Sequence, residues 1–482
     1  MLSALLLAAA LAAGPREIVV GTLADPDALE PHRATDVLAA EIVANVCDTL
    51  VRIRPGSLQA EGALAITWAT LDQRIWTFTL REGVAFHDGA PLDADAVVRN
   101  FEHLRRERAF PGRAERIGPL VVQVTLDRAN ASLLPTLSQP FYSLQSPRRL
   151  DDPYSPPVGT GPFRLERARA GEVVLAANAL YWGGAPRIDR VVYRRFPGSD
   201  ALARALADGA ADVTAAVDPR HVSALRAVRG LTLDSRTGLN LVYLAVNDER
   251  APLDDPRVRQ ALSRAVDRSA LVRVMAGHAE PAVGVLPPGL VGHDSQARDL
   301  LLDREAARRI LTAARPGREL VLAVSRAPRP YLAEPLRVAA RLQEDLAEAG
   351  LPVRTREVET WAEQVTLTTA GDFDLALLGW QADTLDPNDF LTALLDSSSI
   401  GTTNRSRYRS AEMDALLKRA RLDPTPRARL ALYRHGQDLF QRDMPFVPLV
   451  HSSVFTAHRR EVLGLAVGPT GILRYDKAWK QP

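Results

Sequence analysis

Phe373-Asp-Leu-Ala-Leu-Leu378, closed by Gly379-Trp380, is an almost unbroken apolar run of strand length. A run without polar alternation belongs to a strand covered on both faces. The preceding residues supply cover. Val338, Leu342 and Leu346 recur at helical spacing, Gly350 stops that helix, and Val353 opens a further strand. Further back, Asp255 is a good N-cap and Pro256 a good first helical residue for a helix carrying Val258, Ala261, Leu262, Ala265 and Val266 on one face. Near the start, Ile18-Val-Val-Gly21 reads as a short strand. Ala39, Val43, Cys47 and Leu50 read as one face of a helix. Ile75–Leu80 and Val121–Leu126 read as half-buried strands, followed by Glu172–Leu175 and Arg190–Tyr193. Alternating strands and helices predict an α/β architecture with largely buried sheets.

The whole chain has 482 residues, of which 46% are hydrophobic and 24% charged, with a formal net charge of +2. That excludes collagen-like, disordered and disulfide-scaffold classes, and the small net charge argues against a nucleic-acid binder. All but three of the 60 Lys and Arg are Arg, the exceptions being Lys418, Lys477 and Lys480; codon bias explains this. The one cysteine, Cys47, forbids an intramolecular disulfide and any multi-cysteine zinc or CxxC site, and its setting predicts a buried apolar role. Residues 1–13 are apolar with Ala10-Leu11-Ala12 as a cleavage-like end. They are too short to span a bilayer, so they predict a signal peptide, although no Lys or Arg precedes the apolar run. No nucleophile elbow, zinc-protease helix, P-loop or EF-hand pattern occurs. The nine His are scattered without ligand-like spacing, so neither a metal site nor a cofactor is expected.

Six stretches, in order along the chain, resemble the extracytoplasmic solute-binding proteins of peptide ABC transporters. They are Trp76-Thr-Phe-Thr-Leu-Arg-Glu-Gly-Val-Ala-Phe-His-Asp-Gly-Ala-Pro-Leu-Asp-Ala-Asp95, Pro157-Val-Gly-Thr-Gly-Pro-Phe163, Asn178-Ala-Leu-Tyr-Trp182, Tyr243-Leu-Ala-Val-Asn247 with Asp254–Leu262, Gly379-Trp-Gln-Ala-Asp-Thr-Leu-Asp-Pro-Asn-Asp-Phe-Leu391, and Met444-Pro-Phe-Val-Pro448. The resemblance implies a two-lobed type II periplasmic-binding-protein fold with an additional inserted region. It implies a first lobe of residues 14–39, 158–248 and 456–482, an insertion of 40–157 and a second lobe of 249–455. The implied function is that of a monomeric periplasmic receptor, not an enzyme, that takes a short peptide between the lobes. It delivers that peptide to an ABC permease powered by a cytoplasmic ATPase. A non-peptide solute (an oligosaccharide, an opine-like solute or a metal chelate) remains an alternative, as does a sensor or chaperone role.

The same resemblance supplies site residues. Asp383 matches the aspartate that pairs with a peptide's α-ammonium in relatives, and Trp380 would wall a side-chain pocket. Both follow the buried strand, where ligands of α/β folds bind. A plain turn also suits Asp383, as core packing suits Trp380. Thr35, Asp36 and Asn240 match positions that face the ligand in relatives, although helix capping explains Asp36 equally well. Some relatives carry an Arg where this chain has Leu377. Arg337 lies near the stretch where dipeptide binders carry one, and a solvated helix face accounts for it too. Gly159 and Gly161 bracket the return of the insertion to the first lobe and are candidate hinge glycines.

Overall fold

The computed structural model describes residues 16–481 apart from 55–56, 153–155, 296–301, 315–316 and 469. The expected signal peptide at 1–13 lies outside the described residues. The chain divides into two compact units. The first comprises residues 1–55, 60–235 and 455–482, and the second 56–59 and 236–454.

In the second unit the sheet order is Val353–Val358, Leu320–Ser325, Leu375–Gln381, Asn240–Val246 and the first part of Phe446–Arg459. Leu320–Ser325 runs parallel to both its neighbours, while Asn240–Val246 is antiparallel to both of its own. Period two sorts the apolar residues onto two faces. Leu375, Leu377, Val242, Leu244, Leu322 and Val324 enter one core with the helix Pro335–Glu348. Ala376, Leu378, Leu241, Tyr243 and Ala323 enter another with Phe390, Tyr433 and Phe440. Both faces are buried, which is why the run at 373–378 carries almost no polar residue. The exception, Asp374, sits just before the strand. It accepts hydrogen bonds from Arg318, Arg250 and the backbone N–H of Val321.

In the first unit Glu17–Thr22 lies parallel to Arg190–Arg195, which continues into an antiparallel pair, Glu172–Ala177 and Phe163–Arg169. A separate four-stranded antiparallel sheet, in the order Ala65–Thr70, Ile75–Leu80, Val121–Leu126 and Gly112–Gly118, packs with the helix Ala94–Arg108 around Phe78 and Phe101. The C-terminal residues Leu473, Tyr475 and Ala478 complete the core around Ile18, Ile42 and Val191. There Tyr475 donates its hydroxyl to Glu41 (3.0 Å), and Asn45 bonds the backbone of Leu473 and Tyr475.

Three expectations need correction. The boundary expected at 248 falls at 235, because Asn240–Val246 is a full member of the second sheet. The first helix is Val37–Val46 and stops before Cys47, whose backbone is extended, so Cys47 and Leu50 are buried but not helical. Gly159 and Gly161 lie inside the first unit, whereas the long chain crossings fall at 235–236 and 454–455. Neither has a left-handed φ. Their smallness serves close packing instead. A methyl group on Gly159 would stand 2.2 Å from the Val46 carbonyl oxygen and 2.6 Å from Cys47 Sγ. The N–H of Gly161 bonds that same carbonyl at 2.9 Å. Gly159→Ala therefore destabilises the first unit by about 1–3 kcal/mol, the usual cost of overpacking. Denaturant unfolding checks this; an unchanged midpoint would show that the helix end yields freely.

Candidate ligand-binding site

The strand Leu375–Gln381 ends against Asn240, its register partner opposite Gln381. Gly379 has no side chain because the Tyr331 ring occupies that space; an added Cβ would lie 2.2 Å from it. Trp380 is half-buried and packs on the core that holds Phe390 and Tyr433. Its indole N–H is buried without a protein hydrogen-bond partner among the described residues. A buried donor of that kind is costly unless something else accepts from it.

Beyond the strand, the loop 382–387 is fixed at both ends. The N–H of Ala382 donates to the Leu239 carbonyl at 2.8 Å. The N–H groups of Asp383 and Thr384 both donate to Asp389 Oδ2, at 2.6 and 2.9 Å. Asp386 is buried and takes an ion pair from Arg429 at 2.5 Å, a hydrogen bond from Tyr433 at 3.0 Å and one from the Asn388 N–H at 3.0 Å. Arg429 also donates to the Tyr433 hydroxyl and to the Ala420 carbonyl. This network anchors the loop to two helices and leaves the Asp383 side chain exposed. Burial raises the pKa of Asp389 to about 7, and the neighbouring charge of Asp383 adds to the effect.

The other candidates have different fates. Asn240 is buried and committed to the sheet. Its side chain donates to the Ser452 carbonyl (3.1 Å) and accepts from the Ser452 N–H (2.8 Å), while its own carbonyl accepts from His451. Asp36 is the N-cap of Val37–Val46, accepting from the Ala39 N–H at 2.7 Å and from the Asp27 N–H at 2.6 Å. Thr35 donates through its N–H (2.8 Å) and its hydroxyl to Asp27. Arg337 stands exposed in the first turn of Pro335–Glu348. Asn240, Trp380 and Asp383 thus share one strand end in the second unit; Thr35 and Asp36 share a turn in the first. Asp389 was missed from sequence, its one signal being a carboxylate in the first helical turn after Pro387. Glu30, His32 and His103, far apart in sequence, converge inside the first unit.

Comparison with known proteins decides the class. The profile of the bacterial extracellular solute-binding proteins, family 5 (middle region), matches residues 59–402. The chain belongs to this family. Di/tripeptide-binding protein 2 of Pseudomonas aeruginosa (strain UCBPP-PA14) is 32% identical, over 97% of this chain and 96% of its own. The structure of HbpA2 from Haemophilus parasuis superposes with TM-score 0.88 at 26% identity, over 97% of this chain and 100% of that one. A dipeptide-binding protein from Pseudoalteromonas sp. SM9913, in complex with Met-Leu, superposes with TM-score 0.80 at 26% identity, again over 97% and 100%. The fold is therefore the two-lobed type II binding-protein fold, and this family-5 member is an extracytoplasmic solute-binding component of an ABC transporter, not an enzyme. Among the described residues no helix is long and apolar enough to cross a membrane.

Proposed function

We propose that this family-5 protein binds di- and tripeptides with a free α-amino group in the periplasm and delivers them to the permease of an ABC importer. The observation that carries the reading is the near end-to-end match to a di/tripeptide-binding protein, 32% identical over 97% of the chain. The site supports it. Asp383 presents a carboxylate from a rigid loop to the ligand's ammonium, and Trp380 offers an apolar wall. A solute-binding role needs one protein copy, exported by its N-terminal apolar segment, working with a permease driven by a cytoplasmic ATPase. Mass spectrometry of ligand released from the purified protein tests the class directly. Peptides of two or three residues are expected; an oligosaccharide or metal chelate, with no calorimetric binding of dipeptides, would overturn it.

Proton linkage adds a sharper expectation. Below about pH 7 Asp389 holds a proton in the free protein. An ammonium seated beside Asp383 and Asp389, with Asp386 already neutralised by Arg429, favours the ionised form and expels that proton. Peptide affinity then rises from pH 5.5 to 7.5 and levels off above the Asp389 pKa. Binding at pH 6.5 releases protons, which calorimetry in buffers of different ionisation enthalpy detects. Proton uptake on binding would contradict this placement of the ammonium.

A further inference from the structure

Three side chains distant in sequence meet in the interior of the first unit. Glu30 and His32 come from the turn after the strand Glu17–Thr22, and His103 from the helix Ala94–Arg108. All three are at most 4% exposed. Glu30 Oε1 lies 3.7 Å from His32 Nδ1 and 3.7 Å from His103 Nε2, and one ligand atom from each residue lies within 4.8 Å of the others. Both Glu30 oxygens, His32 Nδ1 and His103 Nε2 are buried, and among the described residues none of them has a well-formed hydrogen-bond partner, the nearest donors to Glu30 being the backbone N–H groups of His32 and Arg33. Four inward-facing polar atoms in this state are costly in a folded core. Both Glu30 oxygens and His32 Nδ1 are lone-pair donors to a cation as they stand, and His103 Nε2 becomes one once its proton moves to Nδ1.

The supporting contacts fix this arrangement. His32 Nε2 lies 2.9 Å from the Ser143 carbonyl, which only accepts, so Nε2 carries the proton and Nδ1 keeps its lone pair toward Glu30. A ligating histidine oriented through its second nitrogen by a backbone carbonyl is the recurrent outer-shell pattern of metal sites. The turn is clipped to the helix independently of the trio. Arg33 pairs with Glu107 at 3.0 Å, and Arg108 donates to the Ala34 carbonyl while stacking over Phe141. Arg106 donates to His103 Nδ1 at 3.2 Å. For Nε2 to ligate, the His103 proton must move to Nδ1, and Arg106 must turn away. Its side chain is mostly in solvent and already reaches Asp151, so it is free to do so.

We propose that Glu30, His32 and His103 form a binding site for a divalent transition metal of the zinc class, internal to the first unit. Two imidazoles and one carboxylate are a ligand set suited to Zn²⁺, with a fourth position left for water. The two Glu30–histidine separations of 3.7 Å need only a small contraction to bind one ion at Zn–N and Zn–O distances of about 2.0–2.2 Å, and the two imidazoles, within 4.8 Å of each other, would draw together on it. The ion would join the N-terminal turn to the inserted region.

The test uses the mature, untagged protein stripped with chelator, with Zn²⁺ and Co²⁺ as probes. One equivalent of either ion is expected to bind. Bound Co²⁺ should show the visible absorption of a four-coordinate site without thiolate charge transfer. Glu30→Gln, His32→Gln and His103→Gln should each weaken binding by more than the roughly 10–100-fold that losing an outer-shell partner costs. Circular dichroism shows whether each variant is folded, and only folded variants are compared. Failure of the folded wild type to take up either ion would overturn the site. Uptake undiminished in the folded variants would overturn it equally.

Discussion

Asp383→Ala weakens binding of a free-amine dipeptide by about 2–5 kcal/mol, the range for truncating one partner of a desolvated charge pair. That is a rise in Kd of roughly 30-fold or more. The size follows from the surroundings. A bound ligand removes water from the carboxylate, and a desolvated ammonium left without its partner bears the full penalty. The loop contributes as well, because Asp389 and the Asp386–Arg429 pair hold the backbone at Asp383 before any ligand arrives, which lowers the entropic cost of binding. Calorimetry on wild type and variant, with an N-acetylated dipeptide as control, reads the effect. The acetylated ligand should discriminate little between the two proteins. Equal affinity of Asp383→Ala and wild type for the free-amine peptide would remove Asp383 from the site.

The second large effect is on stability. Arg429→Met leaves Asp386 buried with its charge unpaired, at a cost of about 3–5 kcal/mol. For a unit of this size that corresponds to a fall in Tm of roughly 6–20 °C. Asp386→Leu strands the guanidinium in the same way. The double variant Asp386→Leu with Arg429→Met should recover much of the loss, because apolar replacement of both partners removes the unpaired charge. Melting followed by calorimetry distinguishes the cases. Single variants melting within about 2 °C of wild type would mean that water reaches the pair and screens it.

The sequence was most legible where local chemistry and tertiary burial agree. The run at 373–378 announced a strand covered on both sides, and Asp255-Pro256 marked the start of the helix Pro256–Ala265. It was least legible where a residue's partner lies far along the chain. Asn240 looked available to ligand because nothing nearby shows that Ser452 takes both ends of its amide. Gly159 and Gly161 suggested backbone freedom, whereas the cause of their smallness is the Val46 carbonyl pressed against them. The trio of Glu30, His32 and His103 was invisible for the same reason, since a spacing of 71 residues between the two histidines matches no ligand motif. Asp383 and Trp380 were reached through family resemblance, while Asp389, which positions the Asp383 backbone, required the folded loop.

The closing of the first core by Leu473, Tyr475 and Ala478 bears on how the molecule is made. A ribosome or translocon releases residues 236–454 before those three. The second unit then has its complete sequence, with two cores of its own, while the first still lacks the partner of Glu41 and Asn45. Maturation therefore runs against the direction of synthesis. The unit that begins the chain is the last able to finish, and a chain cut short near its end loses the beginning of the fold.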